Sequence, residues 1–238
     1  MWRGPATRTG RSQRFAGGSA RRWASVAVVQ TWLTDTRTSY DTVAASYADR
    51  LRDSIARSPS LRMTLGLFAS LVRETGPVAD VGCGTGHVTA HLNGLGLQAF
   101  GLDLSPGMIE VARRDHPAVR FAVGSMTALP LPDASVAGLL AWWSLIHVPD
   151  EEVPTALAQF YRVLRPGAPV AIGFHVGAVA RLKTQGYGGH PMQVHVYRRR
   201  PAQVSEWLRE AGFTVEAEWV EQLDSEVPQA VVYARRPA

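Results

Sequence analysis

The stretch Pro77-Val78-Ala79-Asp80-Val81-Gly82-Cys83-Gly84-Thr85-Gly86-His87 constrains this chain more than any other. Apolar residues flank Asp80 as in a short buried strand, three glycines alternate through a turn, and Val88, Leu92 and Leu95 recur beyond it at helical spacing. Strand, glycine turn and helix together make a nucleotide-binding corner. Glycine lets a ligand approach the main chain with no Cβ in the way, and the helix start offers unpaired N–H groups. The plain alternative is a tight strand–helix connection that uses glycine only for geometry. The dinucleotide fingerprint G-x-G-x-x-G needs glycine three positions after Gly84, where this chain has His87. A pyrophosphate loop, and a nicotinamide-dependent dehydrogenase with it, is disfavoured.

The segments around this corner extend it into a sheet. Before it, Tyr40, Val43, Ala44, Tyr47 and Leu51 share one helical face, and a second helix over about 60–75 turns Leu61, Leu65, Phe68, Leu71 and Val72 inward. The first of these helices packs on a core or closes over a bound ligand. After the corner, Gln98–Leu104 reads as a strand ending at Asp103, 21 residues beyond Gly82, where a carboxylate accepts hydrogen bonds from ribose hydroxyls. Ser105 before Pro106 caps the next helix, which runs to about Asp115. Strands follow at 119–123, 136–142 and 168–174, with a helix from Pro149 to Leu164 between the last two; helix 201–211 and strands 214–220 and 227–234 close the chain. Alternating strands and helices imply an α/β fold with a mostly parallel sheet and helices on both faces.

Residues 176–200 show no core stripe and read as an irregular insertion after a strand whose end faces the site. Arg198–Arg200 is a solvated face or helix approach, or else holds an anionic substrate. The expected division is a disordered basic segment over 1–30, lid helices over 31–76, and a core over 77–238 that carries the 176–200 loop.

Charge narrows the partners. The formal charge of +5 resembles that of a nucleic-acid binder, but residues 1–24 hold six arginines and no acid, leaving −1 on the remainder. Such a start is also compatible with an organellar transit peptide or an over-extended start site. A single cysteine, Cys83, excludes an intrachain disulfide and suits a reducing compartment. No apolar run reaches the roughly 18–20 residues of a membrane span. A cytoplasmic protein is expected, with no nucleic acid and no membrane among its partners; the oligomeric state is not readable.

With these residues in place, the chain resembles the class I S-adenosylmethionine (SAM)-dependent methyltransferases of the small-molecule branch, over about residues 40–236. Val78–Gly86 is similar to the family's first motif and Gly101–Met108 to its second; 129–133, 146–149 and 161–167 continue the series in order. The resemblance implies a doubly wound Rossmann-like sheet of seven strands with one antiparallel edge strand, formed by 227–234. It implies SAM as cofactor, with Asp80 and the main chain of Gly82, Cys83, Gly84 and Gly86 at its methionine portion, and Asp103 on the ribose. Leu104 and Met108 would lie on the adenine face, Ser125 and Met126 at the adenine edge, and Ala141 and Trp142 near the methionyl carbons. Many relatives carry aspartate where this chain has Ser125, which puts a hydroxyl where a carboxylate would reach the adenine amino group. A Tyr-Asp-x-x-Ala-x-x-Tyr stretch, here Tyr40 to Tyr47, also recurs in the branch and supports a lid.

Methyl transfer from a sulfonium is an in-line displacement, so the protein aligns the reactants and excludes water. A hydroxyl acceptor is helped by a general base near neutral pKa. His147 is the first candidate and His175 the second, both beyond strand ends; Tyr40, His190, His195 and Tyr197 are candidate substrate contacts. Trp142, Trp143, Tyr187 and Tyr197 are candidates for an aromatic acceptor pocket. The histidines and carboxylates show no short metal-ligand spacing, and no metal is expected. The expected reaction is methyl transfer to an oxygen or nitrogen of a small molecule, carbon being less favoured, with S-adenosylhomocysteine (SAH) as coproduct. A SAM-binding protein without transferase activity and an RNA methyltransferase remain as alternatives.

Overall fold

The computed structural model describes residues 19–72, 76–221 and 227–238, with side chains from Thr31 onward. The expected disorder of the first 30 residues falls largely outside this range, and the backbone of the first helix runs from Ser19. In chain order the elements are α1 (Ser19–Leu51), α2 (Ser54–Arg57), α3 (Pro59–Leu71), β1 (Pro77–Val81), α4 (His87–Gly94), β2 (Gln98–Asp103), α5 (Pro106–Asp115), β3 (Phe121–Val123) and β4 (Gly138–Trp142). They continue with α6 (Val153–Val163), β5 (Pro169–His175), β6 (Ala180–Gly186), β7 (His190–Tyr197), α7 (Pro201–Glu210), β8 (Thr214–Glu221) and β9 (Gln229–Arg235).

Seven strands form one sheet in the order β3-β2-β1-β4-β5-β9-β8. The order reverses between β1 and β4, which pair in parallel, so the carboxyl ends of these two strands open a crevice. β9 runs antiparallel to both neighbours and lies one place in from the edge, which β8 forms. The central strands are apolar at nearly every position because both faces are covered. On one face Leu157, Phe160 and Val163 of α6 and Val204 and Leu208 of α7 pack against Leu139, Val170 and Val232. On the other, Leu65 and Phe68 of α3 and Val88 and Leu92 of α4 pack against Val78, Leu140 and Tyr233.

Local chemistry sets the helix starts. Ser58 accepts from Leu61 N at 3.2 Å ahead of Pro59, and Ser105 accepts from Met108 N at 3.0 Å ahead of Pro106. Each such cap contributes about 1 kcal/mol. β3 and β4 start two residues later than expected; at β4, Val136 leaves only an isolated bridge to Leu164 before the ladder begins.

The irregular loop expected over 176–200 is instead an antiparallel hairpin, β6 with β7. Period-two burial was present in β7, where Met192 and Val194 point inward and Gln193 and His195 outward. The surrounding polar aromatics obscured it. The hairpin gains its support from α1: Met192 and Val194 pack with Val43, Ala44 and Met108, and Gln193 N donates to Ser39 Oγ at 2.8 Å. Among the described residues no helix is long and apolar enough to cross a membrane.

Candidate functional site

Two adjoining cavities occupy the crevice at the carboxyl ends of β1 and β4. A cleft of about 650 Å³ lies between α1 and the loops after β1, β2 and β3, and a chamber of about 1220 Å³ lies between α1, α3 and the ends of β5 and β9. Tyr40, Tyr47, Gly82, Trp142 and Trp143 line both, so the two spaces meet at these residues.

The floor of the cleft is the glycine turn. Gly82 has φ +76°, and a Cβ there would collide with the side chain of Ser144, whose Oγ donates to Val81 O at 2.6 Å. Glycine is required here by backbone and neighbour together. Asp103, at the end of β2, accepts from Gly84 N and from Ser105 N, each at 2.8 Å, which holds the turn and the following loop on one carboxylate. Burial pushes Asp103 up to about 6, against these two hydrogen bonds. Asp80 is fully buried on β1; Oδ2 accepts from Thr89 Oγ1 at 2.6 Å, whereas Oδ1 has no partner. Burial pushes this carboxyl up to about 7, so a cation placed against Oδ1 would restore its charge.

The roof is α1. Tyr47 lies over the turn, with its ring 3.4 Å from where a Cβ on Gly84 would stand. Asp41 Oδ1 accepts from Ser105 Oγ at 2.6 Å and from Gly107 N at 2.8 Å, fastening α1 to the start of α5. The position of Asp41 beside Tyr40 was visible in sequence, but nothing local showed a reach of 64 residues to Ser105.

At the junction, Tyr40 Oη donates to His147 Nε2 at 2.7 Å. His147 Nδ1 lies 2.8 Å from the carbonyl of His195 on β7. A carbonyl only accepts, so Nδ1 carries the proton and Nε2 the lone pair. Burial pushes His147 down to about 4, partly opposed by that carbonyl bond, and Lys183, His175 and Arg199 lower it further. The imidazole is therefore neutral at pH 7. On the chamber side Trp143 Nε1 donates to His175 Nδ1 at 3.2 Å, leaving His175 with an Nε2–H donor. Burial, with Arg198 and Lys183 nearby, pushes His175 down to about 4. Trp143 has φ +48°, a left-handed conformation unusual for a bulky residue and the kind of strain that collects at functional sites.

The expected contacts divide accordingly. Tyr47, Asp80, Gly82, Cys83, Gly84, Asp103, Leu104, Ser125, Met126 and Trp142 line the cavities, as do Tyr40, His147 and His175. Gly86, Met108 and Ala141 do not. A Cβ on Gly86 would come within 2.5 Å of the Phe121 ring, Met108 packs beneath α1, and Ala141 is sealed in the sheet. His190, His195 and Tyr197 also stay outside both linings, because an outward register on β7 faces His190 and His195 to solvent and Tyr197 lines a separate surface depression. His195 contributes its carbonyl instead. Trp143 and Tyr187 join the chamber wall.

Arg199 corrects the reading of Arg198–Arg200 as a solvated face. Its side chain is 1% exposed, donates to the carbonyls of Leu145 and Val148, and pairs with Asp150 at 2.9 Å. It thereby clamps the short turn that presents His147. Ser54 and Trp32 also face the cavities, and no short motif marks them; His87, which stands in place of the third glycine of the dinucleotide fingerprint, lines the chamber as well.

Comparison with known proteins agrees with this geometry. A family described as a methyltransferase domain matches residues 78–167, the span from β1 to the end of α6 and the turn after it. Over that span the chain is similar to methyltransferase domains. The similarity of this chain to curated proteins is partial. It is 37% identical over 116 residues to a malonyl-[acyl-carrier protein] O-methyltransferase of Yersinia pestis, covering 42% of this chain and 41% of that one. To the O-methyltransferase cnsE of Penicillium expansum it is 38% identical over 160 residues, covering 58% and 57%. The chain thus spans about half the length of these relatives. Among solved structures, the 1,6-didemethyltoxoflavin-N1-methyltransferase of Burkholderia thailandensis superposes with a TM-score of 0.64 at 22% identity, over 95% of this chain and 94% of that one. The [4+2]-cyclase SpnF superposes equally well, at 0.64 and 19% identity, over 87% and 97%. These two likenesses establish the fold.

The residues fit SAM. Asp80 Oδ1 would offer a carboxylate oxygen to the methionine ammonium, the Gly82–Gly84 main chain leaves room that side chains would fill, and Asp103 would take the ribose in a nucleotide crevice. Ser125 meets Thr127 Oγ1 at 2.8 Å, so two hydroxyls would face the adenine edge where a carboxylate would otherwise stand.

Proposed function

We propose that this protein transfers the methyl group of SAM to an oxygen or nitrogen of a small molecule held in the larger chamber, releasing SAH. One observation carries the reading. Among the described residues four buried side-chain polar atoms have no partner, namely Trp32 Nε1, Ser54 Oγ, Asp80 Oδ1 and His87 Nδ1, and all four residues line the two joined cavities. Unsatisfied buried polar atoms cost about 1–3 kcal/mol each, and their concentration along one continuous space marks where polar ligands belong.

When bound, SAM supplies an electrophilic methyl on a positively charged sulfur. Asp103 holds the cofactor from the cleft and Asp80 from the adjoining wall of the chamber, while Tyr40, Tyr47, Trp142 and Trp143 close round it where the two spaces meet and exclude water from the junction. In the chamber Trp142, Trp143 and Tyr187 give flat apolar walls, and the His175 Nε2–H, Gln229 and Glu221 give polar contacts at its far end. These features suit a planar acceptor carrying one or two polar groups. The buried thiol of Cys83 is pushed well above the usual range by its surroundings and is inert, which suits a reducing compartment such as the cytoplasm.

The test is SAH release with a panel of hydroxy, amino and carboxylate acceptors, run beside a direct SAM-binding measurement. SAM binding with acceptor-dependent SAH is expected. Tight SAM binding with no SAH from any acceptor would overturn the transferase reading in favour of a SAM-binding protein with another role.

A further inference from the structure

Both histidines expected to serve as a base have their lone pairs engaged. The Nδ1 lone pair of His175 receives the Trp143 N–H, and the Nε2 lone pair of His147 receives the Tyr40 hydroxyl at 2.7 Å. Neither imidazole can take a proton from an acceptor directly in this arrangement. Tyr40 can. Its oxygen carries two lone pairs, of which the neighbouring Tyr187 hydroxyl can engage only one, while its own proton points at His147, and it is one of the five residues lining both cavities. The His147 ring is held edge-on to Tyr40, with centroids 5.2 Å apart. The clamp of Arg199 on the carbonyls of Leu145 and Val148 fixes the backbone on either side of His147.

We propose that Tyr40 is the group that takes the acceptor's proton, and that His147 is the base behind it, set in the required tautomer by the carbonyl of His195. This rests on the methyl-transfer reading above and narrows its acceptor to a neutral hydroxyl, or another group that must lose a proton. The acceptor O–H bond breaks and its proton passes to Tyr40 Oη as the Tyr40 proton passes to His147 Nε2. The acceptor oxygen forms its bond to the methyl carbon, the carbon–sulfur bond breaks, and its electron pair stays on sulfur. The positive charge thus moves from sulfur to the imidazole, and the net charge of the site is unchanged. Lys183 on β6 and Arg199 disfavour a positive charge on His147, so its imidazole rests neutral and holds a proton only as the sulfonium charge is lost, and Asp103 lies on the Tyr40 side of the pair.

This arrangement also gives β7 a part in the chemistry. The hairpin supplies the carbonyl that orients His147, and it is docked on α1, the helix that carries Tyr40. Undocking either element would disconnect both ends of the relay.

Two measurements test this. In the ligand-free protein, ¹⁵N NMR of labelled histidine should show His147 neutral at pH 7 with its proton on Nδ1, and Tyr40→Phe should shift the Nε2 resonance by removing its hydrogen bond. A charged ring, or a proton on Nε2, would overturn the relay. With the hydroxyl acceptor found in the SAH panel, Tyr40→Phe and His147→Gln should each lower kcat about 100-fold with SAM affinity unchanged, and the double variant should lose no more than either alone. SAH formed at the wild-type rate by Tyr40→Phe would overturn the relay and leave the transferase reading standing. So would SAH formed only with acceptors that have no proton to lose before attack. No SAH from any acceptor overturns both.

Discussion

On the cofactor side of the cavity main-chain N–H groups meet a carboxylate: those of Gly84 and Ser105 donate to Asp103, and the turn is shaped by positive φ at Gly82, Gly84 and Gly86. On the acceptor side they are contacts among side chains, or between side chains and distant carbonyls. Tyr40 meets His147 across 107 positions, His147 meets the His195 carbonyl across 48, and Arg199 reaches back to Leu145 across 54. The first construction rests on backbone shape and on the carboxylate of Asp103. The second exists only through the identity of particular side chains. A domain built this way can keep one cofactor while its acceptor changes, because substitutions in the chamber leave the turn untouched.

The largest expected effect comes from breaking the main-chain side. Gly82→Ala puts a Cβ into Ser144 at φ +76°, and should reduce SAM affinity at least about 100-fold and stability by about 2–3 kcal/mol, read by calorimetry and urea denaturation. If the alanine variant bound SAM normally, the turn would not be defined by its backbone. Arg199→Met probes the other side. It strands the carbonyls of Leu145 and Val148 and should cost about 2–3 kcal/mol, with little of it from Asp150, which is half exposed. SAM affinity should hold while methyl transfer falls, and an equal loss of both would erase the distinction between the two sides.

The electrostatics of the cleft give a smaller effect. Asp80 is raised to about 7 by burial, so between about pH 4 and pH 7 the folded free protein holds a proton that the unfolded chain has lost. Its contribution to stability is present below about 4 and is lost as pH rises through 7. Binding of the methionine ammonium requires the ionised form, so SAM affinity should rise about 10-fold from pH 6 to pH 8, and Asp80→Asn should flatten the profile. An affinity independent of pH in the wild type would remove Asp80 from the ammonium. The smallest effect should come from His190→Ala, because this exposed side chain lines neither cavity. SAM affinity and transfer should both stay within about twofold, and a larger loss would extend the acceptor side onto the outer face of the hairpin.

The legible part of the site was the part carried by local pattern. α5 occupies the span from Pro106 to Asp115 because Ser105 and Pro106 announce its start, and Asp103 stands at its expected place because a strand of apolar residues ends there. The β6–β7 hairpin was missed for a comparable reason. The alternation of Met192, Val194 and Val196 is short, β6 lacks a matching apolar face, and the strands are stable only against α1. Arg199 looked like one of three surface arginines, since a run of like residues carries no sign of which one turns inward.

The sequence by itself determined the parallel sheet and the glycine turn, because each depends on neighbours within a few residues and on a period of two or 3.6, and its resemblance to a known family implied the cofactor and the parts of Asp80 and Asp103. Only the tertiary structure decided that His147 and His175 have their lone pairs engaged, that Tyr40 stands where the two cavities meet, and that a β7 carbonyl sets a tautomer on the far side of the site. A hydrogen bond depends on direction and on a partner's position in space, and partners separated by tens of residues become neighbours only when the sheet, the lid helix and the hairpin have packed.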